Sequence, residues 1–138
     1  MLFRSEARGE RAPAGEGAFI RCALESLALK YRMVLGWLEE LAGEKVEVVH
    51  IVGGGSQNEL LNQFTANACG RPVVAGPVEA TALGNVLVQA RSSGALSTLS
   101  EMRSVVRASN ALKRYEPHET AAWQEAYGRF CELVKRPE

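Results

Sequence analysis

Apolar residues recur at helical spacing in the early part of the chain. Steps of three and four residues place such side chains on one face of a helix, and a row of this kind is typical of a packed amphipathic helix. The pattern predicts a helix over residues 17–42, which Gly43 can end because glycine accepts the left-handed backbone conformation of a helix stop. The row consists of Ile20, Leu24, Leu27, Tyr31, Val34, Leu38 and Leu41.

The pattern changes from helical to extended at residue 46. Residues 46–52 are rich in β-branched side chains and apolar on both faces apart from Glu47 and His50. Such a run suits a strand that helices cover on both sides. Residues 72–75 form a second short run, and a helix between the two favours a parallel, right-handed strand–helix–strand unit.

Three consecutive glycines, Gly53, Gly54 and Gly55, follow the first predicted strand. Without a Cβ atom they let a ligand approach the backbone closely. The first N–H groups of the helix that follows lack internal partners, so they suit an anion or a polar edge of a nucleotide. The turn is neither a P-loop nor a dinucleotide fingerprint. By spacing alone, a structural turn without a ligand remains the alternative.

Ser56 stands three residues before Glu59, which is the spacing of a capping box. It predicts a helix that begins at Gln57, continues through Cys69 and ends at Gly70. The side chains expected to face inward are Leu60, Leu61, Phe64 and Ala68.

The pattern in the second half of the chain predicts further helices. We expect one from the Gly76–Pro77 pair to about Arg91, and one to about Ala108 behind a second capping box made by Thr98 and Glu101. A turn is expected at residues 115–117. A last helix follows, whose inward face carries Trp123, Ala126, Tyr127, Phe130 and Val134.

Composition excludes several classes of protein. The 138 residues carry no net charge, and no basic patch interleaved with aromatics indicates a nucleic-acid partner. No apolar run reaches the roughly 20 residues that a membrane-spanning helix needs. The cysteines, Cys22, Cys69 and Cys131, are far apart and form no metal-binding pattern with histidine. We therefore expect a cytoplasmic chain with reduced thiols and no metal site of its own.

One long block resembles a known family. The segments GGGSQN, LLNQ, GPVEATALGN and RYEP occur in order, and together they resemble the C-terminal domain of the FGGY carbohydrate kinases, in particular the rhamnulokinase branch of that family. The resemblance extends from about Gly17 to Leu133. It implies an α/β fold, part of the C-terminal ribonuclease-H-like lobe of the actin-like ATPases, helix-rich with a small parallel sheet.

The resemblance also implies a site and its ligands. ATP is the expected cofactor, with Mg²⁺ ligands and the sugar substrate held by the lobe that precedes this segment. The residues expected to line the adenosine side of the cleft are Gly53, Gly54, Gly55, Ser56, Gln57 and Asn58.

No catalytic residue is expected in the chain. All 16 acidic residues are Glu, and Asp, the family's general base, is absent. Glu79 is the carboxylate that most invites a catalytic role, but its position after Pro77 is typical of a residue at a helix start, where the helix dipole favours a negative charge. The chain alone is therefore expected to be inactive as a kinase.

The whole enzyme is expected to phosphorylate L-rhamnulose to L-rhamnulose 1-phosphate with ATP. Another FGGY kinase, of the xylulokinase or glycerol kinase type, and a non-catalytic nucleotide-binding or dimerisation module are the alternatives. We expect residues 1–16 to be disordered and residues 17–138 to form a truncated nucleotide-binding domain. The missing strands of the lobe would leave a sheet edge and apolar surface uncovered, so self-association or low stability is also expected.

Overall fold

The computed structural model describes residues 13–134. This part of the chain forms five α-helices, three short strands and one 3₁₀ turn, and it confirms the helix-rich α/β fold. In chain order these are α1 (Glu16–Ala42), β1 (Val49–Ile51), the 3₁₀ turn (Gly54–Gln57), α2 (Glu59–Cys69), β2 (Val73–Ala75), α3 (Ala80–Ser92), α4 (Leu99–Ser109), β3 (Lys113–Tyr115) and α5 (Thr120–Val134).

The sheet has the order β1-β2-β3. The strands β1 and β2 are parallel, with Val49 opposite Val73, as the strand–helix–strand pattern predicted. The strand β3 is antiparallel to β2, with Tyr115 opposite Val73, so the sheet is mixed and not wholly parallel. The third strand was not predicted. Its three residues are charged or aromatic, so they do not show the alternation of apolar and polar residues that indicates a strand.

The main core lies between α1, α2 and α5. Its buried members are Ala28, Leu29 and Met33 of α1, Phe64 and Ala68 of α2, and Trp123 and Phe130 of α5. The rings of Phe64 and Trp123 meet with centroids 5.2 Å apart and planes inclined by 50°. The aromatic face predicted for the last helix is therefore confirmed as core at Trp123 and Phe130, while Val134 at the end of α5 is exposed.

The bounds predicted for the first helix are confirmed, but the face it was expected to pack is not. Gly43 ends α1 in the left-handed conformation (φ 71°), and its N–H donates to the carbonyl of Glu39. The buried core residues of α1 lie on a different face, and of the predicted row Leu24 packs against them, while Ile20 and Leu41 are 61% and 86% exposed. In α2, Leu61, Phe64 and Ala68 point inward as predicted, whereas Leu60 is exposed.

The start of α3 differs from the prediction, and that of α4 agrees with it. Residues 76–79 form a loop, so α3 begins at Ala80 and not at the Gly76–Pro77 pair. In α4 the capping box is present in both directions: the Thr98 side chain accepts from the Glu101 N–H, and the Glu101 carboxylate accepts from the Thr98 N–H.

Most of the N-terminal segment predicted to be disordered, residues 1–16, lies outside the described residues, and α1 begins at Glu16. Among residues 13–134, no helix is both long enough and apolar enough to cross a membrane.

Candidate nucleotide-binding site

The glycine turn begins where β1 ends, and it is tied to the loop that follows β2. The Gly53 N–H donates to the carbonyl of Pro77 at 3.0 Å, and the Gly76 N–H donates to the carbonyl of Ile51 at 2.8 Å. Gly53 has φ 78° and ψ −166°, a conformation that residues with a Cβ atom rarely adopt. Glycine is therefore required here by the backbone itself.

Ser56 closes the turn from the inside. Its N–H and its hydroxyl both donate to the carbonyl of Gly53, at 3.0 Å and 2.7 Å. The Asn58 N–H donates to the carbonyl of Gly55 at 3.2 Å, which completes the tight turn. Ser56 is buried, and its hydroxyl holds the turn in shape.

The prediction that Ser56 caps the next helix is wrong. The residue that caps α2 is Asn58, whose side-chain oxygen accepts from the Leu61 N–H at 3.0 Å. The helix begins at Glu59, two residues later than the predicted Gln57. Both Ser and Asn are good capping residues, and the hydroxyl of Ser56 is already bonded to Gly53.

Asn62 stabilises the glycine turn from inside the protein. It is completely buried, and its side-chain amide donates to the carbonyl of Ser56 at 2.8 Å. Asn62 was not among the predicted site residues. The signal was available, because Asn62 stands beside Leu61 on the apolar side of α2, where a buried polar group needs a specific partner.

Gly54 and Gly55 form the outer rim of the turn. A Cβ atom added to either residue would have no atom within 4 Å. Neither residue has the left-handed backbone conformation that Gly53 adopts. Within the described residues, neither packing nor backbone conformation requires glycine at these two positions, and the space beside them is open to a ligand.

The turn borders an open cleft of about 590 Å³. The cleft lies at the carboxyl ends of the parallel strands β1 and β2, which is where α/β sheets bind ligands. Ser56, Gln57 and Glu59 line one side, and the loop after β2 and the segment that enters β3 line the others. Of the six predicted site residues, Ser56 and Gln57 contact the cleft directly.

Charged and polar groups surround the cleft. Glu59 at the start of α2 forms an ion pair with Lys113 of β3. The hydrogen bond from Lys113 to Glu59 raises the pKa of the Lys113 ammonium above its ordinary value. The hydroxyl of Tyr115, which also lines the cleft, is buried and has no hydrogen-bond partner among the described residues.

The carboxylate of Glu79 stands at the start of α3, as the sequence predicted. Glu79 occupies the position before Ala80, is exposed, and makes no capping hydrogen bond with its side chain. Across residues 13–134, no group of three or more His, Cys, Asp or Glu side chains could hold a metal ion.

The fold is that of an α/β domain with an open cleft at the carboxyl ends of its parallel strands. The model of the family described as "FGGY family of carbohydrate kinases, C-terminal domain" matches residues 2–93 of the chain. The chain therefore belongs to the FGGY carbohydrate kinases, as part of their C-terminal domain. The match begins at residue 2, so it includes the N-terminal segment for which disorder was predicted.

Curated relatives are similar over most of the chain. A rhamnulokinase of Bacteroides thetaiotaomicron is 50% identical over 127 residues, which is 92% of this chain and 26% of the relative. Rhamnulokinases of Klebsiella pneumoniae (strain 342) and Pectobacterium atrosepticum are 46% and 40% identical, over 80% and 94% of this chain and 22% and 26% of the relatives. The chain thus spans about a quarter of the length of these proteins.

Solved structures of sugar kinases share the fold. A xylulose kinase from Rhodospirillum rubrum matches with a TM-score of 0.68 and 20% identity, over 91% of this chain and 26% of that one. A ligand-bound xylulose kinase from Lactobacillus acidophilus matches with a TM-score of 0.57 and 24% identity, over 65% of this chain and 18% of that one. At this identity the likeness establishes the architecture alone.

Proposed function

We propose that this domain binds ATP along residues 53–58 and that the protein to which it belongs phosphorylates L-rhamnulose. The γ-phosphate of ATP would pass to the C1 hydroxyl of the sugar, giving L-rhamnulose 1-phosphate. The names and the 40–50% identity of the curated relatives support the choice of sugar. We place the reaction in the cytoplasm, where ATP is available as the phosphate donor.

The assignment of the nucleotide site rests on one observation. Gly54 and Gly55 follow a strand of the sheet, and a Cβ atom at either position would point into open space. Since nothing in the described chain requires glycine there, we attribute both glycines to the close approach of a ligand from outside. A nucleoside suits this edge because its ribose and base can lie against the backbone without a side chain between them.

The six predicted residues divide into two roles. Gly53 and Ser56 shape the turn, one through its unusual backbone and the other through the bond from its hydroxyl to Gly53. Gly54, Gly55 and Gln57 face outward and would contact the nucleotide. The side-chain oxygen of Asn58 is occupied as the cap of α2, which leaves its amide N–H groups to donate to the base or ribose.

We propose that the groups that complete catalysis lie outside this chain. Phosphoryl transfer needs a base to orient and deprotonate the sugar hydroxyl, and Mg²⁺ to neutralise charge on the transferring phosphate. Here every acidic residue is Glu, and no Glu stands in a matching motif. This domain would hold and orient the nucleotide, and the preceding lobe would supply the base, the Mg²⁺ ligands and the sugar contacts.

Titration of the 138-residue chain with ATP in a calorimeter tests the site. We expect binding, and we expect Gly54→Val to weaken it at least about tenfold, because a branched side chain would enter the path of the nucleotide. Gly128→Val is the matched control: Gly128 lies on the exposed side of α5, and a Cβ there also meets open space. Equal affinities for the parent chain and Gly54→Val would show the site assignment to be wrong.

The choice of sugar needs a separate experiment. The chain can be joined to the preceding three quarters of the Bacteroides relative, and the hybrid assayed with rhamnulose, xylulose and glycerol. Phosphorylation of xylulose or glycerol in preference to rhamnulose would favour another type of FGGY kinase. ATP binding by the chain in a hybrid that phosphorylates none of the sugars would favour the second candidate, a non-catalytic nucleotide-binding module, which the absence of Asp also supports.

A further inference from the structure

A second cavity, of about 390 Å³, lies where α1 and α5 meet the C-terminal end of α2. None of its lining residues lines the cleft beside the glycine turn. Its volume is within the range of small-molecule sites, which hold their ligands through a few well-placed polar groups. The charged and amide side chains of this polar cavity are Arg32, Glu39, Asn67, Arg71 and Gln124.

Asn67 brings a buried amide to the polar cavity. The residue is 7% exposed, and its side-chain oxygen accepts from the His118 N–H and from the side-chain amide of Gln63, each at 2.8 Å. Because a backbone N–H can only donate, these bonds fix which end of the amide is the oxygen. The Asn67 side-chain N–H groups donate to no atom of residues 13–134. A buried donor of this kind indicates an acceptor from outside the described chain.

Arg32 is a cation of the polar cavity without an acidic partner. Its guanidinium carbon lies 4.0 Å from the centre of the Tyr127 ring, and one of its N–H groups donates to the side-chain oxygen of Gln124. These two contacts hold the guanidinium in place. None of the ion pairs among residues 13–134 includes Arg32. Its remaining N–H donors have the planar geometry that matches a phosphate or a carboxylate.

The other charges of the cavity do not neutralise Arg32. Arg71 is engaged within the protein, because its guanidinium donates to two backbone carbonyls at 2.8 Å and 3.1 Å. The second of these belongs to Gly70, at the negative end of the α2 dipole. The carboxylate of Glu39 accepts from the Lys45 ammonium at 2.7 Å, and one of its oxygens lies 3.8 Å from an Arg71 nitrogen. Three cations thus stand against one carboxylate, and the positive charge of Arg32 is left over.

Asn67 also borders a smaller cavity, of about 230 Å³, beside Trp123. The arginine of that cavity, Arg21, donates to the Glu25 carboxylate at 2.7 Å, so its charge is already paired. The two cavities therefore differ in the cation that they offer to a ligand. The polar cavity is the one that combines a buried amide donor with an arginine lacking an acidic partner.

We propose that the polar cavity binds a small molecule through a phosphate or carboxylate group of that molecule, with Arg32 and the side-chain amide of Asn67 as the donors. Phosphate and carboxylate share the paired oxygens that a guanidinium recognises. The excess positive charge favours an anion over a neutral or cationic molecule. The inference does not depend on ATP binding, because the polar cavity and the nucleotide cleft have no lining residue in common.

NMR of the backbone amides of the isotope-labelled 138-residue chain, titrated with inorganic phosphate, tests the site. Succinate is titrated in parallel, and sodium chloride at matched ionic strength controls for salt alone. We expect saturable shifts at amides around the polar cavity, among them those of Asn67, Cys69, Arg71 and Gln124. A response to phosphate alone would identify a phosphate ester as the ligand class, and a response to succinate alone would identify a carboxylate.

Three variants separate this site from general attraction of anions. Arg32→Gln should weaken binding at least about tenfold, because it removes the charged donor. Asn67→Asp keeps an oxygen that can accept from His118 and Gln63, but it replaces the N–H donors with a negative charge, so binding should be lost. Arg103→Gln is the control, because Arg103 is an exposed arginine of α4 outside the cavity, and binding should be unchanged. Circular dichroism checks that each variant is folded.

Three results would overturn the inference. They are shifts that rise without saturation and equal those in sodium chloride; saturable binding that folded Arg32→Gln and Asn67→Asp leave unchanged; and saturable shifts confined to residues 53–58, which would place the anion at the glycine turn.

Discussion

The side-chain amide of Asn62 donates a hydrogen bond to the backbone carbonyl of Ser56 at 2.8 Å, inside the protein and out of contact with water. This bond links the first turns of α2 to the glycine turn. Ser56 in turn bonds to the carbonyl of Gly53, so the path from the buried helix to the outer rim of the turn is continuous. The shape of the candidate site therefore depends on a residue that does not contact the cleft.

Asn62→Ala should destabilise the protein and loosen the turn. Removal of the amide leaves the buried Ser56 carbonyl without its partner, which costs about 1–3 kcal/mol of the free energy of unfolding. Urea denaturation measures this loss, and ATP titration should show weaker binding as well. Asn85→Ala on the exposed side of α3 serves as the control and should change stability by less than about 0.5 kcal/mol. Equal stability of the two variants would argue against this role.

Gly53 and Gly54 should respond differently to the same substitution, alanine. Gly53 has φ 78° and ψ −166°, a region that is costly for alanine by about 1–3 kcal/mol. Gly54 lacks a left-handed φ and has open space around it, so Gly54→Ala should leave the free energy of unfolding almost unchanged. Thermal melts of both variants give the comparison. If the two variants have the same melting temperature, the backbone conformation at Gly53 does not require glycine.

Most of the fold could be predicted from the sequence because helices carry a regular signal. The bounds of α1 and the capping box of α4 follow from periodicity and from Thr98 with Glu101. The strand β3 was missed because its three residues lie mostly in water and are held by pairing with β2. The apolar row of α1 from Ile20 to Leu41 shows a different limit, because periodicity indicates that a face is apolar but not what covers it.

The glycine turn after β1 could also be predicted, but the contacts that its residues make could not. A strand that enters three glycines and leaves through a helix indicates a ligand-binding turn in one chain segment. Ser56 and Asn58 are both good capping residues, and the choice between them depends on the tight turn that commits Ser56 to Gly53. The cleft is built by residues far apart in sequence, such as Glu59 and Lys113, whose pairing appears only in the folded chain.

Glu39 should make stability depend on pH in the acid range. Its carboxylate accepts from the Lys45 ammonium at 2.7 Å and from the Val46 N–H at 3.0 Å, which joins α1 to the segment before β1. The hydrogen bond from Lys45, followed by that from Val46, lowers the pKa of the Glu39 carboxyl below its ordinary value. A lowered pKa in the folded state means a stabilising contribution that is present above the unfolded pKa and is lost as pH falls through the folded value.

The experiment compares urea denaturation of Glu39→Gln and Glu40→Gln between pH 7 and pH 3. Glu39→Gln should remove part of the loss of stability on acidification. Glu40 is its exposed neighbour and provides the control, for which the pH profile of the parent chain should be kept. Identical profiles for both variants would show that the Glu39 contacts do not contribute.

Thr98→Ala should weaken the start of α4. The Thr98 side chain accepts from the Glu101 N–H at 3.2 Å, and an N-cap of this kind contributes about 1 kcal/mol. Ser97→Ala is the matched control, because Ser97 takes part in the same cap through its backbone N–H. Hydrogen exchange of the first amides of α4 reports the local effect, with faster exchange expected for Thr98→Ala alone. Unchanged exchange in that variant would contradict a stabilising cap.

Cys69 should be unreactive in the folded protein although it lies near two arginines. Burial raises the pKa of its thiol to about 11, and this outweighs the opposing charges of Arg32 and Arg71. At pH 8 only about one thiol in a thousand would be the reactive thiolate. Pulse alkylation with iodoacetamide followed by mass spectrometry should show slow modification of Cys69 in the native chain and rapid modification in urea. Equal rates in the two states would mean that the end of α2 opens readily to solvent.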